Sequence, residues 1–394
     1  MGFLLRISTG LGGLAIVAIT CALFVGTTRH PDANWIVYIS SRSRSNSYDI
    51  NRINPDGSQV ERLAVVIGSV PTLLWSPDGT RLAVISHLDR DALTVMDIAG
   101  RSQHLLVNSV AEIQSAAWSP DGEWIAYAAS AAPAGGEPSY LYRVSAHGGA
   151  STQLTTASAS SATETLTYSN LSWSPDGQAL IFDAFTPQDT SRRSVYRVDA
   201  GGGEPSLVVE GCCAGWSPSG DWIAYVAAGQ DGQRHLYRIP AVGGQPEQLI
   251  ENALEIGGPV SWSPDGAWLV FVAFDGQNTR TLYRVRADGS RLEGLVSGTL
   301  QAPVSWSPDG EWLVFPMFGT ASVSFQPGIY RVRADGRDLE LLTAGSGIAY
   351  FPLWSPALES TLQLGLLALL GGAMLVLSIV AHHGLPPPHR VLRL

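Results

Sequence analysis

Residues 117–128 read AWSPDGEWIAYA, residues 261–272 read SWSPDGAWLVFV, and residues 305–316 read SWSPDGEWLVFP. Each stretch is a short apolar run ending in Trp, a Ser-Pro-Asp-Gly turn, and a second apolar run. Pro presets φ for the turn, Asp tolerates turn geometry, and Gly supplies a positive φ. Two β-strands joined by a tight reverse turn are the expected product.

The unit recurs along the chain. WSPDG stands at Trp75, Trp118, Trp173, Trp262 and Trp306, WSPSG at Trp216, and a truncated WSPA at Trp354. The spacings are 43, 55, 43, 46, 44 and 48 residues. Periods in the forties suit the four-stranded blade of a β-propeller. A third strand reads LYRV at Leu141, VYRV at Val195, LYRI at Leu236, LYRV at Leu282 and IYRV at Ile329. A Gly-containing turn follows each, and then a fourth strand such as STQLT at Ser151 or LELLT at Leu339.

All 12 Trp fall at two positions of the repeat. Seven end first strands, and Trp35, Trp124, Trp222, Trp268 and Trp312 begin second strands. Each can bury about 200 Å², so they read as core. The recurring Arg143, Arg197, Arg238, Arg284 and Arg331 are expected to lay their stems on Trp or Tyr and to pair with turn aspartates.

The W-S-P-D-G, apolar strand, L-Y-R-V pattern resembles the TolB-type propeller repeat, over residues 35–356. The resemblance implies a protein-binding scaffold in a bacterial envelope. The sequence departs from TolB itself: seven units are expected rather than six, an apolar helix follows the repeats, and no N-terminal α/β domain is expected. TolB's own partners are therefore not carried over. Similar propellers gate serine peptidases, but no G-x-S-x-G elbow, H-E-x-x-H, EF-hand loop or P-loop is present. The expectation is of a chain that is not an enzyme and has no catalytic, cofactor or metal residues.

The first unit begins late. WIVYIS, residues 35–40, matches a second strand. Its missing first strand is expected from Ile348–Pro356, giving a composite blade and a seven-bladed all-β propeller. Such closure removes open sheet edges.

Strand parity places the SPDG turns and the third-to-fourth turns at one end of every blade, the bottom. The other connections lie at the top. Irregular insertions fall there: Ser40–Ser47, Ser130–Ser139, Thr186–Ser194, Phe318–Gly328 and the link Thr156–Asn170. Variable loops on a rigid scaffold are where binding resides. The candidate partner-binding residues are Arg42, Arg44, Glu137, Tyr140, Gln188, Arg192, Arg193, Phe318 and Phe325. A second reading, from another class, is an envelope enzyme or carbohydrate-binding domain using the channel mouth.

Two apolar segments frame the repeats. Residues 7–28 carry no charge after Arg6 and read as a signal anchor or signal peptide within 1–29. Leu362–Ala381 is uncharged and, at ~1.5 Å per residue, long enough to span a bilayer core of ~30 Å. The segment 358–394 then reads as a membrane helix with a short basic tail, cytoplasmic by the positive-inside rule. The propeller, residues 30–357, is expected outside the cytoplasm, with another envelope protein as partner.

The formal charge is −10, and all 24 basic residues counted as Lys or Arg are Arg. An acidic chain lacks the basic face that nucleic acid requires. Of the 3 Cys, Cys212 and Cys213 are adjacent on a first strand and read as packing thiols. An oxidising compartment would also permit a vicinal disulfide, and the sequence leaves that open.

Overall fold

A computed structural model describes residues 34–41, 46–88, 90–99, 102–109, 112–130, 138–155, 166–250, 254–274, 280–318, 326–343 and 349–356. Both apolar end segments lie outside them. Among the described residues no helix is long and apolar enough to cross a membrane.

These residues form seven antiparallel sheets, the blades of a seven-bladed β-propeller. Blade 1 is Ala349–Trp354, Ile36–Ser41, Ser47–Ile53 and Glu61–Ile67, in sheet order. Blade 2 is Thr72–Trp75, Arg81–His87, Asp91–Asp97 and Gln103–Ser109. Blade 3 is Glu112–Trp118, Trp124–Ser130, Ser139–Ser145 and Thr152–Gln153. Blade 4 is Thr167–Trp173, Ala179–Thr186, Asp189–Asp199 and Ser206–Glu210. Blade 5 is Cys212–Trp216, Trp222–Ala228, Arg234–Pro240 and Glu247–Gln248. Blade 6 has a divided first strand, Glu255–Ile256 and Ser261–Trp262, followed by Trp268–Phe274, Arg280–Arg286 and Glu293–Gly298. Blade 7 is Ser305–Trp306, Trp312–Met317, Gly328–Arg333 and Glu340–Leu341.

The division in blade 6 was not foreseen. Pro259 sits between its two halves, and proline cannot donate to a ladder.

The blades gather into two compact units, one built on blades 2, 3 and 4 and the other on blades 5, 6, 7 and 1. In the first, Ile85, Val95, Trp118 and Ile125 pack blade 2 on blade 3. Ala126, Leu141, Trp173 and Phe182 pack blade 3 on blade 4. In the second, Val226, Leu249, Leu269 and Phe271 join blades 5 and 6. Val272, Trp306 and Phe315 join blades 6 and 7, and Val314, Ile329, Ile36 and Trp354 join blades 7 and 1. First-strand tryptophans also bond the preceding blade. Trp173 Nε1 donates to the Ala117 carbonyl at 3.2 Å, and Trp262 Nε1 to that of Gly215 at 3.1 Å.

The SPDG turn closes on itself. Ser119 Oγ donates to Asp121 Oδ1 at 2.5 Å, while the amides of Ser119 and Gly122 bond the carbonyls of Trp124 and Ser119, each at 2.9 Å. Gly122 takes φ 71°, the left-handed value this turn requires. Blade 1 repeats the closure without a turn. The Ser355 amide donates to the Trp35 carbonyl at 2.8 Å, and the Trp35 amide to Ser355 Oγ at 3.1 Å. The composite blade expected from the sequence is therefore present.

The recurring arginines form clamps. Arg238, Arg284 and Arg331 lie over Trp222, Trp268 and Trp312 at 4.1, 4.3 and 4.4 Å from the ring centres. Each pairs at 2.6 Å with a fourth-strand glutamate: Glu247, Glu293 and Glu340. Each also donates to a carbonyl of the next blade: Ala287, Ala334 and Pro55. Stacking on Trp was expected. The partner is a correction: it is the fourth-strand Glu, which stands opposite Arg in the ladder, rather than a turn Asp.

Candidate functional site

First strands enter each blade at its top end, and three of them are bent there. Asn170, Cys213 and Phe351 take φ 51°, 63° and 49°. Each lies three residues before its strand's Trp, at Trp173, Trp216 and Trp354. The ladder register shifts at the same places. A β-bulge re-aims side chains, and a left-handed conformation outside Gly and Asn is a local strain.

The re-aiming has a visible effect. In a regular strand, neighbouring side chains point to opposite faces. At the blade 1 bulge, Tyr350 and Phe351 instead bring their ring centres to 6.3 Å. Phe318, just past the second strand of blade 7, lies 5.7 Å from Tyr350. Phe351 is 40% exposed. Three aromatic rings thus meet at the top ends of blades 7 and 1.

At the blade 5 bulge, Cys212 Sγ and Cys213 Sγ are 2.8 Å apart. Cys212 is buried within the blade 5–6 core, as the packing expectation requires, and Cys213 is half-buried. Arg234, at the start of the third strand, brings Nη2 to 2.7 Å from Cys212 Sγ and 3.9 Å from Cys213 Sγ. Gly211, just before the cysteines, lies close against the second strand: a Cβ there would stand 2.7 Å from the Val226 carbonyl oxygen. Next to Arg234 on the third strand, buried His235 places Nε2 3.0 Å from both carboxylate oxygens of Asp231, in the preceding loop. That bond, and then the Gln233 amide, hold the Asp231 carboxyl below the usual range. The sequence reading missed Arg234, Asp231 and His235. Arg234 opens the third strand two residues ahead of Leu236, and the second strand lies between it and the cysteine pair, so no spacing in the sequence joins them.

The sequence-derived candidates divide. Arg42, Arg44, Glu137 and Phe325 lie outside the described residues. Tyr140 is half-buried on the third strand of blade 3. Gln188, Arg192 and Arg193 share the top of blade 4, but Thr186–Ser194 is not the irregular insertion expected. It is a hairpin in which Thr186 pairs with Asp189 across Pro187 and Gln188. Arg193 lies 4.3 Å over the Phe185 ring, and the Arg192 side chain is 92% exposed, 3.7 Å from Asp189. At the bottom, a cleft of about 430 Å³ between blades 3 and 4 is lined by Asp121, Trp124, Arg143 and Asp176. Arg143 fills its clamp role there, bonding the Ala200 carbonyl at 3.1 Å.

The sequence matches the TolB beta propeller domain over residues 22–210 and again over 167–358. The chain belongs to that family. No curated protein matches it. Among solved structures, TolB from Acinetobacter baumannii is 17% identical with a TM-score of 0.51, over 90% of this chain and 75% of its own. The periplasmic gluconolactonase PpgL of Pseudomonas aeruginosa is 16% identical with a TM-score of 0.56, over 82% and 99%. A puromycin-hydrolyzing peptidase of Mycobacterium tuberculosis is 14% identical with a TM-score of 0.56, over 79% and 52%.

These likenesses concern the fold alone, and they correct one expectation. The absence of familiar catalytic motifs led the sequence reading to a chain that is not an enzyme. A lactonase and a peptidase share this TolB-type architecture. One fold hosts many unrelated functions, so missing motifs on a shared fold do not exclude an enzyme.

Proposed function

We propose that this TolB-type propeller is a binding module of the bacterial envelope that engages a protein partner through its top ends. Residues 7–28 and 362–381 would hold it at the cytoplasmic membrane, with the blades on the extracytoplasmic side and the tail inside. The family supports the envelope setting.

The observation that carries the reading is the aromatic cluster of Phe318, Tyr350 and Phe351. Nothing in the blade repeat requires a large apolar side chain at position 351. Its counterpart in blade 4 is Asn170. An aromatic held in a left-handed conformation and 40% exposed is retained against both backbone strain and solvation. Aromatic side chains anchor protein interfaces because they bury much area and lose little rotamer freedom.

The test is affinity capture from detergent-solubilised membranes, comparing the tagged chain with Phe318→Ser and Phe351→Ser variants of unchanged melting temperature. The expected result is one protein retained by the parent and lost from both variants. Identical captured sets would overturn the assignment of the aromatic cluster.

A further inference from the structure

A different feature, the blade 5 bulge, carries a chemistry that partner binding does not use. We propose that Cys212 and Cys213 form a redox-active dithiol that closes reversibly to a vicinal disulfide, with Arg234 as its positioning residue.

Three observations converge. First, adjacent cysteines on a regular strand would point their sulfurs to opposite faces. Here the left-handed Cys213, φ 63°, and the register shift bring them to 2.8 Å. Second, the blade 1 and blade 4 bulges hold Tyr-Phe and Ser-Asn at the same places, so the bend belongs to the architecture and the thiols alone to this blade. Third, the Arg234 guanidinium stands 2.7 Å from Cys212 Sγ. A cation at this distance stabilises negative charge on sulfur and favours the nucleophilic form.

Burial assigns the order of events. Cys213 is the more accessible sulfur, and Cys212 is enclosed beside Arg234. The oxidant is a disulfide, R–S–S–R. Cys213 gives its proton to solvent, and its sulfur attacks one sulfur of the oxidant. The S–S bond breaks, R–S⁻ leaves, and Cys213 carries a mixed disulfide. Cys212, as the thiolate held by Arg234, then attacks Cys213 Sγ and displaces the second R–S⁻. Two electrons and two protons pass from the dithiol to the oxidant, which becomes two R–SH. Consecutive Cα atoms are ~3.8 Å apart, below the usual ~4.4–6.8 Å for disulfides. The bond formed is therefore easily reduced, as labile and regulatory disulfides are.

The purified full chain is equilibrated with oxidised glutathione, quenched with iodoacetamide and cut after arginine. Peptide 198–234 contains Cys212 and Cys213 and no other cysteine. It should be found unalkylated and lighter by two hydrogens, and a small dithiol should reverse this. Cys212→Ser should hold a stable glutathione adduct on Cys213. Arg234→Gln, shown folded by circular dichroism, should slow conversion of adduct to ring by about threefold or more, with Arg234→Lys restoring much of the rate. Alkylation of both cysteines after oxidation, a persistent adduct in the parent chain, or disulfide-linked dimers would overturn the proposal. Equal closure rates in Arg234→Gln would remove Arg234 from it.

Discussion

Ile36 pairs with Trp354 in the ladder of blade 1, although the whole repeat array separates them in sequence. Trp354 is 5% exposed and packs with Val314 and Ile329 of blade 7. Its Nε1 also donates to Asn34 Oδ1. One side chain thus holds the late strand in the sheet and seals it to its neighbour. Trp354→Ala should lower unfolding free energy by about 3–5 kcal/mol, the range for a large aromatic removed from a core. Chemical denaturation followed by tryptophan fluorescence and circular dichroism together measures it. A loss below about 1 kcal/mol would mean that the composite blade contributes little to the fold.

The arginine clamp separates a buried contact from a wet one. Arg331 is only 16% exposed at its side chain, whereas Glu340 is 47% exposed. The half-exposed ion pair should contribute about 0.2–1 kcal/mol. The bond from Arg331 Nη1 to the Pro55 carbonyl, at 2.5 Å, and the stacking on Trp312 are better shielded. A charged hydrogen bond of that kind contributes about 1.5–3 kcal/mol. Arg331→Ala should therefore destabilise clearly more than Glu340→Ala. Arg331→Lys, which loses the planar fork and the stack, should fall nearer to Ala than to the parent. Equal losses for Arg331→Ala and Glu340→Ala would place the clamp's energy in the ion pair instead.

The turns make the fold sensitive to acid. Hydroxyl donation from Ser119, Ser174 and Ser263 holds Asp121, Asp176 and Asp265 below the usual carboxyl range. In the unfolded chain these groups titrate near ~3.9. The folded state binds their protons less readily, so their contribution is complete above that value. It disappears as pH falls through the lower, folded-state values. Melting temperature should be level above about pH 5 and should fall below about pH 4. A variant carrying Asp121→Asn, Asp176→Asn and Asp265→Asn should melt lower at neutral pH and show a shallower acid slope. An unchanged slope would assign acid sensitivity to other carboxylates.

Much of this fold is legible because the repeat is local chemistry copied along the chain. WSPDG reports a turn, YRV a strand, and the absence of a first strand before Trp35 requires one from Ile348–Pro356. The clamp's glutamates were less legible, since Arg331 and Glu340 meet only through cross-strand pairing. The bulges were not legible at all. Cys213 and Phe351 carry no glycine to announce a positive φ, and their strands keep an ordinary apolar pattern up to Trp216 and Trp354. The candidate residues at the tops were chosen from the long, irregular insertions. That choice named Phe318 but passed over its ring neighbours Tyr350 and Phe351, which lie within a strand.

Phe351 offers the sharpest separation of function from stability. A left-handed φ of 49° is unfavourable for phenylalanine and tolerable for asparagine, whose short side chain is compatible with that region. Asn170 occupies the equivalent bulge of blade 4 at φ 51°, so the architecture accepts the substitution. Phe351 is also largely outside the core, at 40% exposure, so its removal opens little cavity. Phe351→Asn should leave stability unchanged or raise it by up to about 1 kcal/mol, as strain is relieved. If the aromatic cluster binds a partner, the same variant should lose capture of that partner. Most interface substitutions that weaken binding through misfolding do the reverse and lower both. Differential scanning fluorimetry and the membrane capture assay, run on one preparation, distinguish the cases. A clear drop in melting temperature would assign Phe351 to the fold and remove the reason for reading its exposure as functional.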